Sequence, residues 1–203
     1  MSEISTETLL AKFPFLTARP SLDFVAVNCP AAELVAFVRS MRDEHGFDML
    51  ADLAGMDWDK ESPRFSVIYH LYNGTTKQFV RVNCAAVNDE SPAVPSLVPL
   101  YPAANWHERE AYDLVGIKFD GHPDLRRILM WDGYPYHPLR KEFPLAGIDT
   151  DLPAADVAES TGARVIPAPM AGGPFVSSSC GTTLATGEPR ALDQSWNERN
   201  EKK

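Results

Sequence analysis

Apolar residues in the first fifty positions recur at the spacing of one face of a helix. The clearest such stripe includes Leu34, Val38 and Met41. It follows Pro30 and ends before Gly46. Proline is favoured at the first position of a helix and glycine just after the last, so one helix is predicted between them. Because only one of its faces is apolar, we expect this helix to lie on a sheet.

A shorter stripe near the N-terminus predicts another helix. Ser5 and Thr6 are its candidate N-caps, because a hydroxyl oxygen can accept a hydrogen bond from the free amides of the first turn. Leu9, Leu10 and Phe13 then share its apolar side.

Three other segments are rich in β-branched and aromatic residues, which favour strands: residues 22–29, 64–72 and 77–84. Asn73 and Gly74 stand between the last two, and Asn-Gly is the strongest short signal for a β-hairpin. The sequence therefore predicts an antiparallel pair at this point.

A further helix is predicted over residues 106–115, with Asn105 as its N-cap and Gly116 as its C-terminal stop. A brief strand is predicted at residues 117–119. Hairpins combined with helices that are apolar on one face are typical of an α+β domain with two layers, a mixed β-sheet covered by helices. We place this domain at residues 1–149.

Residues 150–203 follow neither period, because prolines interrupt every possible helix. They predict an extended, irregular C-terminal tail that either stays disordered or docks on partner subunits. The candidate anchors for docking are Phe175, Leu184, Leu192 and Trp196. Residues 165–187 are uncharged but rich in Pro, Gly, Ser and Thr, so no membrane helix is predicted there. We expect any contact with a membrane to come through partners.

Charge and cysteine content exclude several classes of function. The net charge of −9 argues against nucleic-acid binding, which needs a basic field. Cys29, Cys84 and Cys180 form no CxxC-type pair, so the sequence offers no zinc or iron–sulfur motif and favours free thiols in a reducing compartment. The N-terminus lacks the apolar core of a signal peptide.

The segment from Trp106 to Leu145, called the charged segment below, is the richest in potential chemistry. His107 and Glu108 begin like a zinc-protease helix, but the HExxH motif needs a histidine where Ala111 stands. A stand-alone hydrolase that uses His107, Glu108 and Glu110 remains an alternative. The glycine-rich nucleotide motifs and the GxSxG nucleophile motif are absent from the sequence.

Three histidines of the charged segment recur every 15 residues and are a candidate metal set: His107, His122 and His137. Two of them precede proline, which restricts them to extended or turn backbone. We therefore favour a role for these histidines in ordering loops.

The acidic and basic side chains of the charged segment are expected at a surface that fits another protein rather than in a core. Arg109 and Asp113, four positions apart on a helix, are predicted to form an ion pair. Residues 117–141 carry a local charge of +2 in an acidic chain. Two basic pairs are candidate anchors for an acidic partner surface: Arg126-Arg127 and Arg140-Lys141.

The charged segment resembles the signature of the 30 kDa-type subunit (the C subunit in bacterial nomenclature) of the proton-translocating NADH:quinone oxidoreductase, respiratory complex I. The matching positions are Glu108-Arg109-Glu110, Asp113-Leu114-Val115, His122, Arg126, Ile128-Leu129, Gly133, Tyr134 and His137 to Leu145. A more general likeness, which includes Asp52, Gly55 and Asp57, extends over residues 20–150. The sequence departs from the family where Val115 replaces a usual aromatic residue and where residues 131–136 vary a loop.

The resemblance implies a structural subunit of the hydrophilic arm that binds no flavin, iron–sulfur cluster, metal or NADH itself and has no catalytic residues. The FMN, the iron–sulfur clusters, NADH and the quinone are then bound by other subunits. The implied partners are the D, B and I subunits of complex I, of which the first forms the quinone site. The implied location is the cytoplasmic face of the bacterial inner membrane. The residues implied at subunit interfaces are Glu108, Arg109, Glu110, Asp113, His122, Arg126, Arg127, His137, Arg140 and Lys141.

A related assembly remains an alternative to complex I. The same fold could serve as the equivalent subunit of a membrane-bound hydrogenase, or of a complex linked to ferredoxin or F420.

Overall fold

The computed structural model describes residues 4–131 and 133–144. The elements in chain order are α1 (Thr6–Lys12), β1 (Thr17–Ala18), β2 (Val25–Asn28), α2 (Leu34–Asp43), β3 (Met49–Asp57), β4 (Phe65–Asn73), β5 (Gln78–Ala85), β6 (Ala93–Pro95), α3 (Ala104–Val115) and β7 (Lys118–Asp120). A short 3₁₀ turn, Ala31–Glu33, precedes α2.

Five strands form one mixed sheet in the order β1-β2-β5-β4-β3. Strand β2 runs parallel to β5, and the other neighbouring strands are antiparallel. Strands β6 and β7 form a separate parallel pair. The predicted α+β architecture, a mixed sheet covered by helices, is confirmed.

The hydrophobic core lies between one face of the sheet and the helices α2 and α3. Helix α2 buries Leu34, Phe37 and Met41 in this core, as its apolar stripe predicts. Gly55 of β3 lets α3 approach the sheet closely, because a Cβ built there would lie 3.1 Å from the Cβ of Ala111. The close approach fixes α3, and with it the charged segment, against the edge of the sheet.

Strands β4 and β5 form the predicted hairpin, with Asn73 paired to Gln78 at its end. The side-chain oxygen of Asn73 accepts hydrogen bonds from the amides of Thr75 and Thr76, at 2.9 and 3.0 Å. The Asn73 amide nitrogen donates to the carbonyl oxygen of His45 at 2.8 Å. Asn73 therefore holds the turn and ties it to the chain after α2.

Two of the predicted helix ends are confirmed. The Ser5 hydroxyl oxygen caps α1 by accepting a hydrogen bond from the Thr8 amide at 3.2 Å. Gly116 ends α3 with a φ of 84°, a left-handed conformation that glycine adopts without steric cost.

Two helix starts are corrected. Helix α3 begins at Ala104 after Ala103, with no side-chain cap, so Asn105 lies inside the helix and the N-cap prediction is wrong. Pro30 precedes the 3₁₀ turn, and α2 begins only at Leu34. The turn takes up the residues that the sequence pattern assigns to the start of the helix.

Strand β3 is not among the predicted strands. Its sequence contains Gly55 and two aspartates, residue types that are depleted in strands. The strand forms because it pairs along β4 while Leu50 and Leu53 enter the core. Tertiary packing thus outweighs local preference in this element.

The predicted tail, residues 150–203, lies outside the described residues, as do its four candidate anchors. Within the part of the chain that the structure describes, no helix is long and apolar enough to cross a bilayer.

Candidate docking site in the charged segment

Glu108 occupies a position that the sequence did not predict, since its side chain is fully buried. Its two carboxylate oxygens accept hydrogen bonds from the Ser96 hydroxyl and the Leu97 amide, each at 2.7 Å. Burial raises the pKa of Glu108 to about 7, and these two hydrogen bonds only partly oppose the shift. The expectation that the charges of this segment lie at a surface is therefore wrong for Glu108, which joins α3 to the loop after β6.

The pKa of Glu108 predicts a pH-dependent stability. Its ordinary value is 4.5, so between pH 4.5 and about 7 the unfolded chain releases this proton while the folded chain keeps it, and stability falls. At about 1.4 kcal/mol per pKa unit, the loss at pH 8 is roughly 3 kcal/mol. Glu108→Gln keeps the shape without the charge. We expect its stability, measured by urea unfolding, to match the parent near pH 4.5 and exceed it at pH 8.

Three partly buried histidines (His45, His70 and His137) have lowered pKa values and change stability with pH in the opposite direction. Their effect is the same in parent and variant, so the difference between the two isolates Glu108. Glu110→Gln, on the exposed side of the same helix, is the matched control and should change the free energy of unfolding by less than about 0.5 kcal/mol, as is usual for a surface substitution. A gain for Glu108→Gln that stayed constant from pH 4.5 to 8 would contradict the argument.

Asp113 is also fully buried, and it organises the loop at residues 126–130. One carboxylate oxygen accepts hydrogen bonds from three successive amides, those of Ile128, Leu129 and Met130, at 2.9, 2.6 and 2.9 Å. The other oxygen pairs with Arg127 Nη1 at 2.6 Å. Burial alone raises the pKa of Asp113, but these hydrogen bonds outweigh it and hold the pKa below its ordinary value. The loop is thus wrapped around a buried anion.

The predicted ion pair between Arg109 and Asp113 is wrong. The Arg109 guanidinium donates instead to the backbone carbonyl oxygens of Arg126 and Arg127, both at 3.2 Å. It also lies over the Trp106 ring, with the guanidinium carbon 5.1 Å from the ring centroid. Asp113 has Arg127 as its partner because the loop folds back over α3 and brings that arginine closer.

Arg127 therefore forms its contacts within the chain and is not available as an anchor for a partner. In addition to Asp113, its guanidinium donates to the carbonyl oxygens of Tyr134 and Tyr136, at 2.7 and 3.1 Å. Its side chain is only 12% exposed. Arg127 thus fixes two stretches of loop backbone at once, and Asp113 balances its charge.

Residues 137–140 close over the C-terminal end of α3. His137 Nδ1, the Leu139 amide and Arg140 Nε lie 2.9, 2.9 and 2.7 Å from the carbonyl oxygens of Asp113, Leu114 and Val115, respectively. The last carbonyls of a helix have no partner inside it, so these donors satisfy groups that would otherwise be exposed. Gly116 makes the approach possible, since a Cβ there would lie 2.6 Å from the His137 ring.

The next residues of the charged segment are tied to the sheet. The Lys141 amide donates to Asp57 at 2.8 Å, across 84 positions of sequence. Arg64 binds the same carboxylate through two nitrogens, at 2.8 and 2.7 Å, and also pairs with Glu142. The hydrogen bond from Arg64, followed by the amides of Lys141 and Asp59, holds the pKa of Asp57 well below its ordinary value against the effect of burial. Sequence reasoning did not assign this role to Asp57 or Arg64, although Asp57 was named among the residues that carry the general family likeness.

His122 and His137 order loops, as favoured above, whereas His107 lies within α3, and the three are not brought together as a metal set. His122 Nδ1 accepts from the Asp124 amide at 2.9 Å, so its Nε2 donates to the Asn105 carbonyl oxygen at 3.2 Å. Both ring nitrogens are thereby engaged. No group of three or more His, Cys, Asp or Glu suited to a metal ion occurs in residues 4–131 and 133–144.

The remaining predicted site residues are exposed. Arg126 has a side chain that is 67% exposed and, among the described residues, forms its ion pair with the exposed Asp124, while Glu110 and Lys141 face solvent. Trp106 and Leu129 are 62% and 58% exposed, and Arg109 links the first of them to this loop, because its guanidinium lies over the Trp106 ring and donates to the Arg126 carbonyl oxygen. We call Trp106, Arg126 and Leu129 the Trp106 surface. Arg109 and Asp113 hold the backbone of this surface, through hydrogen bonds to the Arg126 carbonyl oxygen and from the Leu129 amide.

The fold and the site define an α+β protein whose charged segment is organised by its own buried carboxylates and presents an aromatic and basic surface. The family described as "Respiratory-chain NADH dehydrogenase, 30 Kd subunit" matches residues 27–149. The chain therefore belongs to this family, and the resemblance of the charged segment to the 30 kDa-type subunit is confirmed.

Curated relatives agree with this assignment. The chain is 49% identical over 123 residues to the C subunit of the NADH-quinone oxidoreductase of Phenylobacterium zucineum, a match that covers 61% of this chain and 58% of that protein. It is 47% identical over 129 residues to the corresponding "C 2" subunit of Rhizobium meliloti, covering 63% and 70%. For the C subunit of Moorella thermoacetica the identity is 45% over 135 residues, covering 66% and 88%. The matched region thus spans little more than half of the first relative.

Solved structures share the fold. A trypsin-resistant fragment (1-134) of Nqo5 aligns with a TM-score of 0.50 and 30% identity, covering 57% of this chain and 93% of the fragment. A chain of the membrane-bound sulfane sulfur reductase, an archaeal respiratory membrane complex, aligns with a TM-score of 0.60 over 77% of this chain and 89% of that chain. At 24% identity, the second likeness concerns the fold alone.

Proposed function

We propose that this chain is a structural subunit of the peripheral arm of an NADH–quinone oxidoreductase and that the Trp106 surface docks on a neighbouring subunit. Electron transfer from NADH to quinone and the coupled proton translocation are activities of the whole assembly. The observation that carries the proposal is the division of the charged side chains into buried ones that pair within the chain and exposed ones. Glu108, Arg109, Asp113 and Arg127 are used internally, to hold the loop that presents the exposed residues.

The composition of the Trp106 surface supports docking rather than catalysis. Tryptophan and arginine are the residues most enriched among those that dominate binding energy in protein interfaces. Glu108 and Glu110 lie on opposite sides of α3, one buried and one exposed, so they do not form the acid–base pair that a hydrolase would need. The proposal therefore places no catalytic residue and no cofactor in this chain, and assigns both to its partners.

The neighbours proposed for the docked chain are the D, B and I subunits of the complex. Basic Arg126 fits an acidic patch on one of them. Membrane association, at the cytoplasmic face of the bacterial inner membrane, is proposed to come through these partners. The membrane-bound sulfur reductase shares the fold, but the higher sequence identity to NADH-quinone oxidoreductase subunits favours the latter assembly.

Arg126→Glu tests the docking role. If Arg126 pairs with a partner carboxylate in the assembled complex, reversing its charge should weaken assembly by roughly 2–5 kcal/mol, the range for losing a desolvated charge pair. Native gels of solubilised membranes, with NADH:quinone reductase activity measured on the same samples, should show less assembled complex and proportionally less activity.

The matched control is Arg39→Glu, which reverses an exposed arginine on α2, far along the chain from the charged segment. It should assemble normally. Equal assembly of the Arg126 and Arg39 variants would show that Arg126 does not contribute to the interface. An assembled complex with normal subunit content but low activity would instead indicate a direct role in the reaction.

A further inference from the structure

A groove of about 370 Å³ opens on the face of the main sheet that α2 and α3 leave uncovered. Asn28, Ser66 and Asn83 lie on its floor, at strand positions that alternate with the buried core residues. Phe15 and Trp58 contribute aromatic walls. The groove contains none of the residues of the charged segment, so it is separate from the Trp106 surface.

Arg19 is the cation of this groove. It donates to the Asn28 side-chain oxygen at 3.2 Å and lies over Trp58, with its guanidinium carbon 5.3 Å from the ring centroid. Among the ion pairs of the described residues, Arg19 has none, whereas six other arginines pair with a carboxylate. A guanidinium has five donors in a planar fork that matches a carboxylate, and here one of them is used by a side chain.

The amides beneath Arg19 form a directed network. Asn28 Oδ1 accepts hydrogen bonds from both Arg19 and Asn83 Nδ2, the latter at 3.0 Å. The Asn28 side-chain nitrogen in turn donates to the Thr17 hydroxyl oxygen at 3.2 Å. This direction leaves Asn83 Oδ1 buried without a hydrogen-bond partner in the described part of the chain. A buried polar atom in that state is unusual, and it lies in the same groove as Arg19, which has no carboxylate partner within residues 4–131 and 133–144.

We propose that this groove binds an acidic segment of a neighbouring subunit, with a partner carboxylate on Arg19 and apolar atoms against Trp58. The identification of the partner as a subunit of the same assembly rests on the function proposed above. Glu61 is at the rim of the groove, but it is exposed and forms no ion pair with Arg19, so it leaves the cation available.

The test uses the assembled complex, purified from cells in which a photo-reactive phenylalanine replaces Glu61. We expect irradiation to cross-link this position to another subunit, at a peptide that contains Asp or Glu within a few residues of the cross-link. A cross-link only to residues 145–203 of the same chain, or none to any subunit, would overturn the proposal.

A charge reversal supplies the second arm. Arg19→Glu, expressed together with the parent chain, should be incorporated into the complex at least about 30-fold less than the parent, the ratio that corresponds to the lower end of the cost of a lost charge pair. Arg39→Glu should compete equally, and an unchanged thermal midpoint of isolated Arg19→Glu would show that folding is intact. Equal incorporation of Arg19→Glu would overturn the groove proposal while leaving the Trp106 surface untouched. If Arg126→Glu lost assembly and Arg19→Glu did not, the conclusion would be the same: the Trp106 surface docks and the groove does not.

Discussion

Replacing Asp113 with asparagine is expected to lower the free energy of unfolding by roughly 3–5 kcal/mol, the cost of leaving a buried charge without its partner. The variant keeps the shape of the side chain, so no cavity contributes. It removes the negative charge that balances Arg127, whose side chain is 12% exposed. It also turns one acceptor into an NH₂ group that faces either the three amides of residues 128–130 or Arg127.

Urea unfolding of the full chain at pH 7 measures this loss. Asp124→Asn is the control, because Asp124 pairs with Arg126 at the surface, 2.9 Å apart, and an exposed pair contributes about 0–1 kcal/mol. The loss for Asp113→Asn should shrink in acid. The pKa of Asp113 is lowered in the folded chain, so its contribution is present above the ordinary pKa and disappears as the pH falls through the lowered one. Equal effects of the two variants would mean that the buried pair does not stabilise the loop.

The elements predicted correctly are those whose local pattern and tertiary role agree. Helix α2 shows one apolar stripe and buries it, and the hairpin of β4 and β5 has alternating residues joined at Asn73. Strand β3 escaped prediction because its aspartates and Gly55 argue against a strand. Gly55 is present for a reason that no local pattern reveals, which is the close approach of α3.

The charged segment could be located from the sequence, but its arrangement could not. A helical repeat places Arg109 next to Asp113, yet the Asp113 carboxylate binds Arg127 and three backbone amides about fifteen positions further along the chain. Lys141 meets Asp57 across 84 positions. Such contacts depend on the three-dimensional path of the chain, which sequence spacing does not give. Spacing therefore assigned all of these charges to a surface, whereas several of them are buried and support the loop that forms the surface.

Gly116→Ala is expected to destabilise the chain by about 3 kcal/mol, from two additive causes. The φ of 84° belongs to the left-handed region, which costs an L-residue about 1–2 kcal/mol. The new Cβ would also lie 2.5 Å from Arg140 Nη2 and 2.6 Å from the His137 ring, so both side chains, which hold residues 137–141 on the end of α3, must shift, at a typical overpacking cost of about 1–3 kcal/mol.

Gly121→Ala separates the two causes. Its φ is 83°, nearly the same, but a Cβ there meets nothing within 4 Å, so it should show the backbone cost alone. Hydrogen exchange then distinguishes them by location. In Gly116→Ala the amides of Leu139 and Lys141, which donate to Leu114 and Asp57, should exchange faster, because the stretch they belong to has left the end of α3. In Gly121→Ala they should stay protected. Equal losses of stability in the two variants, with equal protection of these amides, would contradict the argument. The contact of residues 137–141 with Gly116 would then contribute nothing to stability, and Asp113 and Asp57 would be sufficient to hold the charged segment.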